Sequence, residues 1–226
     1  MMDIQPADPL PPNAAPAISR ARQIAEQLLN GEPGSHDWEH TLRVYRLCCD
    51  IGAREGVDMV VLSVAAFFHD IGRCRQDESR GGVCHAEQGA QMAADLVADL
   101  PLTEAQKANV VHCVRAHRFR KAPQPATNEA KVLFDADKLD AIGAVGVARA
   151  YQFAGEVGAR LHNANHDLSN TRAYSREDTG YREYQIKLRH IKDRMLTETG
   201  RRVAEGRHHF MVQFFQRFLA EVDGRL

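Results

Sequence analysis

His40, the adjacent pair His69-Asp70, and Asp137 are the residues of this sequence best suited to chemistry. Two imidazoles and two carboxylates form a donor set of intermediate softness. It suits one divalent ion such as Mn2+, Fe2+, Co2+, Ni2+ or Mg2+. Four protein donors leave coordination positions open for water or phosphate oxygens, which is the arrangement of a catalytic metal site and not of a closed structural one. The His-Asp dipeptide alone carries little weight, because the chain has three of them: His36-Asp37, His69-Asp70 and His166-Asp167. The local contexts carry more. HDWEHTLRV contains His40, AAFFHDIGR contains His69-Asp70, and FDADKLDAIGAVGVARAY contains Asp137. In each, the ligand shares a helical face with apolar residues, and a metal-binding or charged group buried there needs a compensating partner.

An ion held by these residues would acidify a bound water to a pKa of about 7. Attack at phosphorus would further need positive charge beside the phosphoryl oxygens. Arg43 lies close to one helical turn beyond His40, and Lys138 directly follows Asp137. Each serves equally well as a phosphate contact or as an ion-pair partner. Asp140, almost one turn after Asp137, could orient a ligand, accept a proton or pair with Arg43. The catalytic candidates are therefore Asp70, Arg43, Lys138 and Asp140. His36, one turn before His40, is expected to cap or support it. Arg118, Arg120 and Lys121 form a basic cluster near His117. There is no Walker-type loop and no GxGxxG, so nucleotide binding by those devices is excluded.

Helices must position these groups. Ile18, Ala21, Ala25 and Leu28 mark one face of a first helix, with Gly31 as its stop. After a loop and cap at Gly34, Ser35 and Asp37, Val44, Leu47, Cys48 and Ile51 form the stripe of the helix that turns His40 inward. The segment from Asp58 to Ile71 is apolar nearly all round, as a central buried helix is, and it ends at His69-Asp70. His69 and Asp70 are about 100° apart around a helix, so both reach one ion only near a helix end, which Gly72 is placed to supply. Ala90, Ala93, Ala94 and Val97 mark the next helix. Thr103 and Gln106 form a capping box for another, on which Val110, Cys113, Val114 and His117 share a face. A helix from about Glu129 carries Leu133, Asp137 and Asp140, and Gly143 and Gly146 follow in a segment suited to close packing. The polar stretch from Arg160 to Gly180, with His162, Asn163, Asn165, Asn170 and Ser175, reads as a mobile loop. At the end, Met211, Phe214, Phe215, Phe218 and Val222 form an amphipathic stripe, read as core. No segment has the two-residue period of a strand, so the fold class is all-α.

Composition bounds the partners. A hydrophobic fraction of 44% suits a globular core, and a formal net charge of −1 argues against a nucleic-acid or anionic-membrane surface. Five cysteines without a CxxC point to reduced thiols. The opening residues lack a basic region and an apolar run, so no signal peptide is read there, and the apolar run Met59 to Phe68 is too short to span a bilayer. A cytoplasmic monomer or homodimer without nucleic-acid or membrane partners is expected.

The three quoted segments resemble those of the HD-domain metal phosphohydrolase superfamily. The resemblance is closest to a bacterial subfamily of nucleotide pyrophosphohydrolases or metal-dependent hydrolases, to which LTETGRRVAEGRHHFMVQFFQRFLAE is also similar. The Pro- and Ala-rich opening reads as a disordered segment 1–16, and the resemblance implies an HD-domain helical core over residues 17–157. A flexible loop 158–180 and C-terminal helices 181–226 packed on the core would follow. It matches His40, His69, Asp70 and Asp137 to the metal ligands. It places Arg73 where many members have Lys, which keeps the charge but changes the geometry. HAEQGA and VRAHR resemble segments that supply a second metal in HD-GYP phosphodiesterases, but Arg118 replaces the second His of that family's doubled pair. One metal is therefore expected, manganese among the candidates, with a second as the lesser alternative. His85, His117, Arg73 and Arg118 would bind substrate, the histidines as imidazolium or as general acid. The implied reaction is hydrolysis of a nucleoside triphosphate to monophosphate and pyrophosphate by metal-activated water. The alternatives are a nucleoside monophosphate phosphatase, a di-iron oxygenase on the same scaffold, and a non-catalytic nucleotide sensor.

Overall fold

In the computed structural model of the chain, the residues described are 15–29, 38–73, 85–118, 123–164 and 167–226. Most of the N-terminal segment, Gly31, Gly34, Ser35, His36, Asp37, Cys74, Cys84, Arg120, Lys121, Asn165 and His166 lie outside them. The described residues form α-helices and short 3-10 turns with no strand among them. None of these helices is long and apolar enough to cross a membrane. The chain divides into two compact units, Met1–Asp137 and Lys138–Leu226.

The first unit holds α1 (Ala15–Leu29), α2 (Trp38–Glu55), α3 (Met59–Phe68), α4 (His85–Ala98), α5 (Glu104–Ala116) and most of α6 (Asn128–Asp140). α3 is its centre, with Val61 to Phe68 all buried, and α1, α2 and α5 pack around it. Asp58 caps α3 by accepting from the amides of Val60 and Val61. The capping box of Thr103 and Gln106 is present at the start of α5. One expected face shifts by one residue and another is narrower than expected. α1 buries Leu29 and leaves Leu28 40% exposed. α4 buries Ala86, Ala90, Ala93 and Val97 and exposes Ala94. In both helices the buried stripe keeps the 3.6-residue period, and the neighbouring apolar residue falls just outside it. Cys48 and Cys113 are buried free thiols, and burial pushes the Cys113 pKa up to about 12, as suits core-filling residues.

Gly72 decides how α4 meets the end of α3. A Cβ there would lie 2.5 Å from the Gly89 amide nitrogen and 2.5 Å from the His85 carbonyl oxygen. Only glycine lets the two backbones touch at this point, so it is also what brings His85 beside Asp70.

The second unit holds α7 (Gly143–Glu156), α8 (Gly180–Ile186), α9 (Glu198–Val222) and the 3-10 turns Leu168–Asn170 and Leu188–Arg194. α7 packs against α8 and α9. The polar connection from α7 to α8 turns several of its groups inward on one another. Arg182 donates to Asp178, and Thr179 donates to Asn163, which in turn donates to the Glu177 carbonyl. Asn163 and Thr179 are buried, so these bonds replace the water the groups give up. The stripe on α9 is core only in part. Met211 and Phe215 are buried, whereas Phe214 and Phe218 are half-buried and Val222 is 37% exposed.

Candidate metal centre

The first turn of α2 delivers His40, which is fully buried along the stripe of Val44, Cys48 and Ile51. Trp38 and Tyr45 stack on Phe67, with ring centroids 6.0 and 4.5 Å apart, and so fasten α2 to α3. His69 is the residue at which α3 ends, and Asp70 follows in a turn closed by the Arg73 amide on the Asp70 carbonyl. Leaving the helix axis there lets adjacent side chains aim at one place. α6 brings Asp137.

The Nε2 atoms of His40 and His69 are 3.3 Å apart. His40 Nε2 lies 3.6 Å from Asp137 Oδ1, and Asp70 Oδ2 lies 3.7 Å from both imidazoles. Donors that bind one ion at about 2.0–2.2 Å sit roughly 3–3.5 Å from each other, so this spacing fits a metal. The bonding of His69 fits too. Its Nδ1 donates to the Ala66 carbonyl at 2.7 Å, which leaves the Nε2 lone pair facing the other donors. Buried imidazole lone pairs and carboxylate oxygens aimed at one point make a donor set suited to a divalent ion. All four residues expected as ligands are thus brought together.

Asp70 faces two ways, which spacing in the sequence does not reveal. Its Oδ1 lies 3.2 Å from His85 Nε2 and 3.6 Å from His117 Nε2, and these two imidazoles are 3.2 Å apart. Asp70, His85 and His117 form a second group of metal-capable donors beside that of His40, His69 and Asp137. His117 donates its Nδ1 proton to the Val114 carbonyl at 2.6 Å, the same local bond that His69 makes one turn back along its helix. Arg73 donates to His85 Nδ1 at 3.4 Å, and the Arg118 charge also acts on His85.

Burial pulls the pKa of His69 down to about 4 and that of His85 to about 3, against the opposing pull of the Asp70 charge. Even beside the Asp70 carboxylate, burial keeps the His85 ring neutral at pH 7, so an imidazolium there would form only with a further anion at the ring. The stability consequence has a definite sign. Unfolded histidine protonates near pH 6.5, while these folded imidazoles stay neutral, so the unfolded state binds more protons below that pH. Their contribution is complete above about pH 6.5 and is lost as pH falls toward 4. Thermal melting of the metal-free protein should drop in midpoint between pH 7 and pH 5. An unchanged midpoint would show that these histidines are not buried as neutral rings.

Of the other predicted residues, Arg43 is half-buried on α2, and Arg73 and Arg118 are half-buried at the ends of the turn after α3 and of α5. Lys138 is half-buried and Asp140 is buried, both on the part of α6 that belongs to the second unit. Asp140 is ion-paired with Arg149 at 2.7 Å.

A profile of the HD domain matches residues 37–142. YpgQ of Bacillus subtilis is 32% identical to the chain over 214 residues, covering 92% of the chain and 96% of YpgQ. The crystal structure of YpgQ in complex with ADP is similar with a TM-score of 0.72 at 29% identity, over 92% of this chain and 95% of that one. An HD-superfamily hydrolase from an uncultured Thermotogales bacterium is similar with a TM-score of 0.66 at 30% identity, over 91% and 93% of the two chains. The chain belongs to the HD-domain family. It is an enzyme, a metal-dependent phosphohydrolase of the HD superfamily.

Proposed function

We propose that the enzyme hydrolyses nucleoside triphosphates to monophosphates and pyrophosphate, with one divalent ion held by His40, His69, Asp70 and Asp137. The observation that carries this reading is the buried convergence of those donors beside a second, cation-flanked group. A bound ion supplies Lewis-acid polarisation and an acidified water. The chain's own residues do the rest. His69 presents an unprotonated Nε2 because its Nδ1 proton is held by Ala66. Arg73 and Arg118 place positive charge around His85, which favours phosphoryl oxygens there and disfavours a second dication. His117 and His85 would then donate or accept at those oxygens. The relative YpgQ has been crystallised with ADP, which supports a nucleotide as the substrate class here. The expected surroundings are a cytoplasm, with manganese among the candidate ions.

A second reading has one observation in its favour. The Nδ1 bond of His117 leaves its Nε2 lone pair free to bind a second ion with His85 and Asp70. Metal analysis separates the two readings. One ion per chain supports the mononuclear hydrolase. Two irons with O2 consumption would point to an oxygenase. Assaying a nucleotide panel with Mn2+, Co2+ and Mg2+ tests the substrate class, and an absence of turnover on every triphosphate would overturn it.

A further inference from the structure

α6 runs unbroken from Asn128 to Asp140 and carries Asp137 in its last turn. The carbonyls of a helix's last turn lack partners within the helix. Here two of them accept from arginines of two other helices, that of Leu139 in addition to its bond from the Ile142 amide. Arg207 of α9 donates to the Leu139 carbonyl at 2.5 Å. Arg149 of α7 donates to the Asp140 carbonyl at 3.3 Å and to Asp140 Oδ2 at 2.7 Å. Asp140 is 1% exposed, so this ion pair is buried and strongly directional.

The turn between α6 and α7 is shaped to admit these contacts. Gly143 has φ +79, and a Cβ there would meet three side-chain carbons of Arg207 at 3.0 to 3.3 Å. A Cβ at Gly146 would lie 2.2 Å from the Ala141 carbonyl oxygen. Burial lowers the Arg207 pKa, and the Asp140 charge opposes that, so the two groups act on each other. Asp137 is also the least enclosed of the four ligands. Its side chain is 13% exposed, against 0% for His40 and His69 and 3% for Asp70. Asp137 also stands in the helical turn whose end the two arginines hold.

We propose that Arg149 and Arg207 are positioning residues for the metal centre: by holding the last carbonyls of α6 they fix, through that helix, the register of Asp137. The inference rests on the reading of Asp137 as a metal ligand. Neither arginine needs to touch ion or substrate.

Mn2+ affinity of the full-length protein, measured by competition with a chromogenic chelator, tests this alongside melting temperature. Arg207→Met should weaken Mn2+ binding on the order of tenfold, the lower end of what loss of an outer support costs a metal site. Arg207→Lys, which keeps a charged donor, should recover most of that loss. Thr197→Ala removes the cap of α9 on the Gly200 amide and serves as the control. It should lower the melting temperature and leave Mn2+ affinity unchanged. Should Arg207→Met not fold, Arg149→Gln decides the matter by the same titration, with the same weakening expected. Parent-like affinity in Arg207→Met or Arg149→Gln would overturn the proposal. So would an equal loss of affinity in Thr197→Ala, which would trace the effect to general stability. A parent protein that binds no Mn2+ would overturn the metal reading itself, and this is visible before any variant is compared.

Discussion

Asp70→Ala is expected to lower metal-dependent turnover by about a thousandfold or more. Its carboxylate is the only one of the four expected ligands with an oxygen in each donor group. Oδ2 faces His40 and His69, and Oδ1 faces His85 and His117. Removing it takes a donor from the metal and leaves two buried imidazole pairs without the negative charge that stands between them. If the ion contributes about 4 kcal/mol of transition-state stabilisation, its loss corresponds to roughly three factors of ten. His69→Ala should behave similarly, because His69 is the proposed ligand whose Nε2 is aimed by a local bond of its Nδ1. Both variants must be shown to be folded before the rates are compared. Undiminished turnover in both would mean that the reaction occurs elsewhere.

Gly72→Ala is expected to be the most damaging small substitution for stability, costing about 2–3 kcal/mol. The added methyl would meet two backbone atoms at 2.5 Å, and backbone cannot step aside as a flexible side chain does. α4 would have to shift, and with it the 3.2 Å approach of His85 to Asp70. In a domain of this size that loss corresponds to a fall in melting temperature of roughly 5–10 °C. Gly89→Ala on the facing helix is the informative control. Its methyl would sit 3.5 Å from its nearest neighbours, which is ordinary contact, and alanine favours a helix interior. Gly89→Ala should therefore be close to neutral. Equal destabilisation by the two substitutions would contradict the one-sided packing described above.

The helical class and the inward turn of His40 were legible because both are written in local periodicity. Val44, Cys48 and Ile51 point one way along α2, and His40 falls on their line. Thr103 and Gln106 announce the start of α5 by a pairing that needs no tertiary partner. What stayed hidden depends on groups distant in sequence. That Asp70 serves two donor groups follows from how α4 docks on the turn after α3, and Gly72 reads in sequence only as a helix end. The neutral state of His85 comes from burial that composition cannot rank. Arg149 and Arg207 carry no motif, since a guanidinium on a carbonyl looks like any surface cation until the helix end beneath it is seen. On α9 the apolar period holds, but a period does not fix how wide a strip the neighbours cover, and Phe214, Phe218 and Val222 lie at the edge of the core.

Separating the products of nucleoside triphosphate hydrolysis in the presence of Mn2+ tests the account most directly. The predicted result is nucleoside monophosphate and pyrophosphate in equal amounts, with formation abolished by chelation and by His69→Ala. Release of orthophosphate with nucleoside diphosphate, or turnover that survives metal removal, would contradict it.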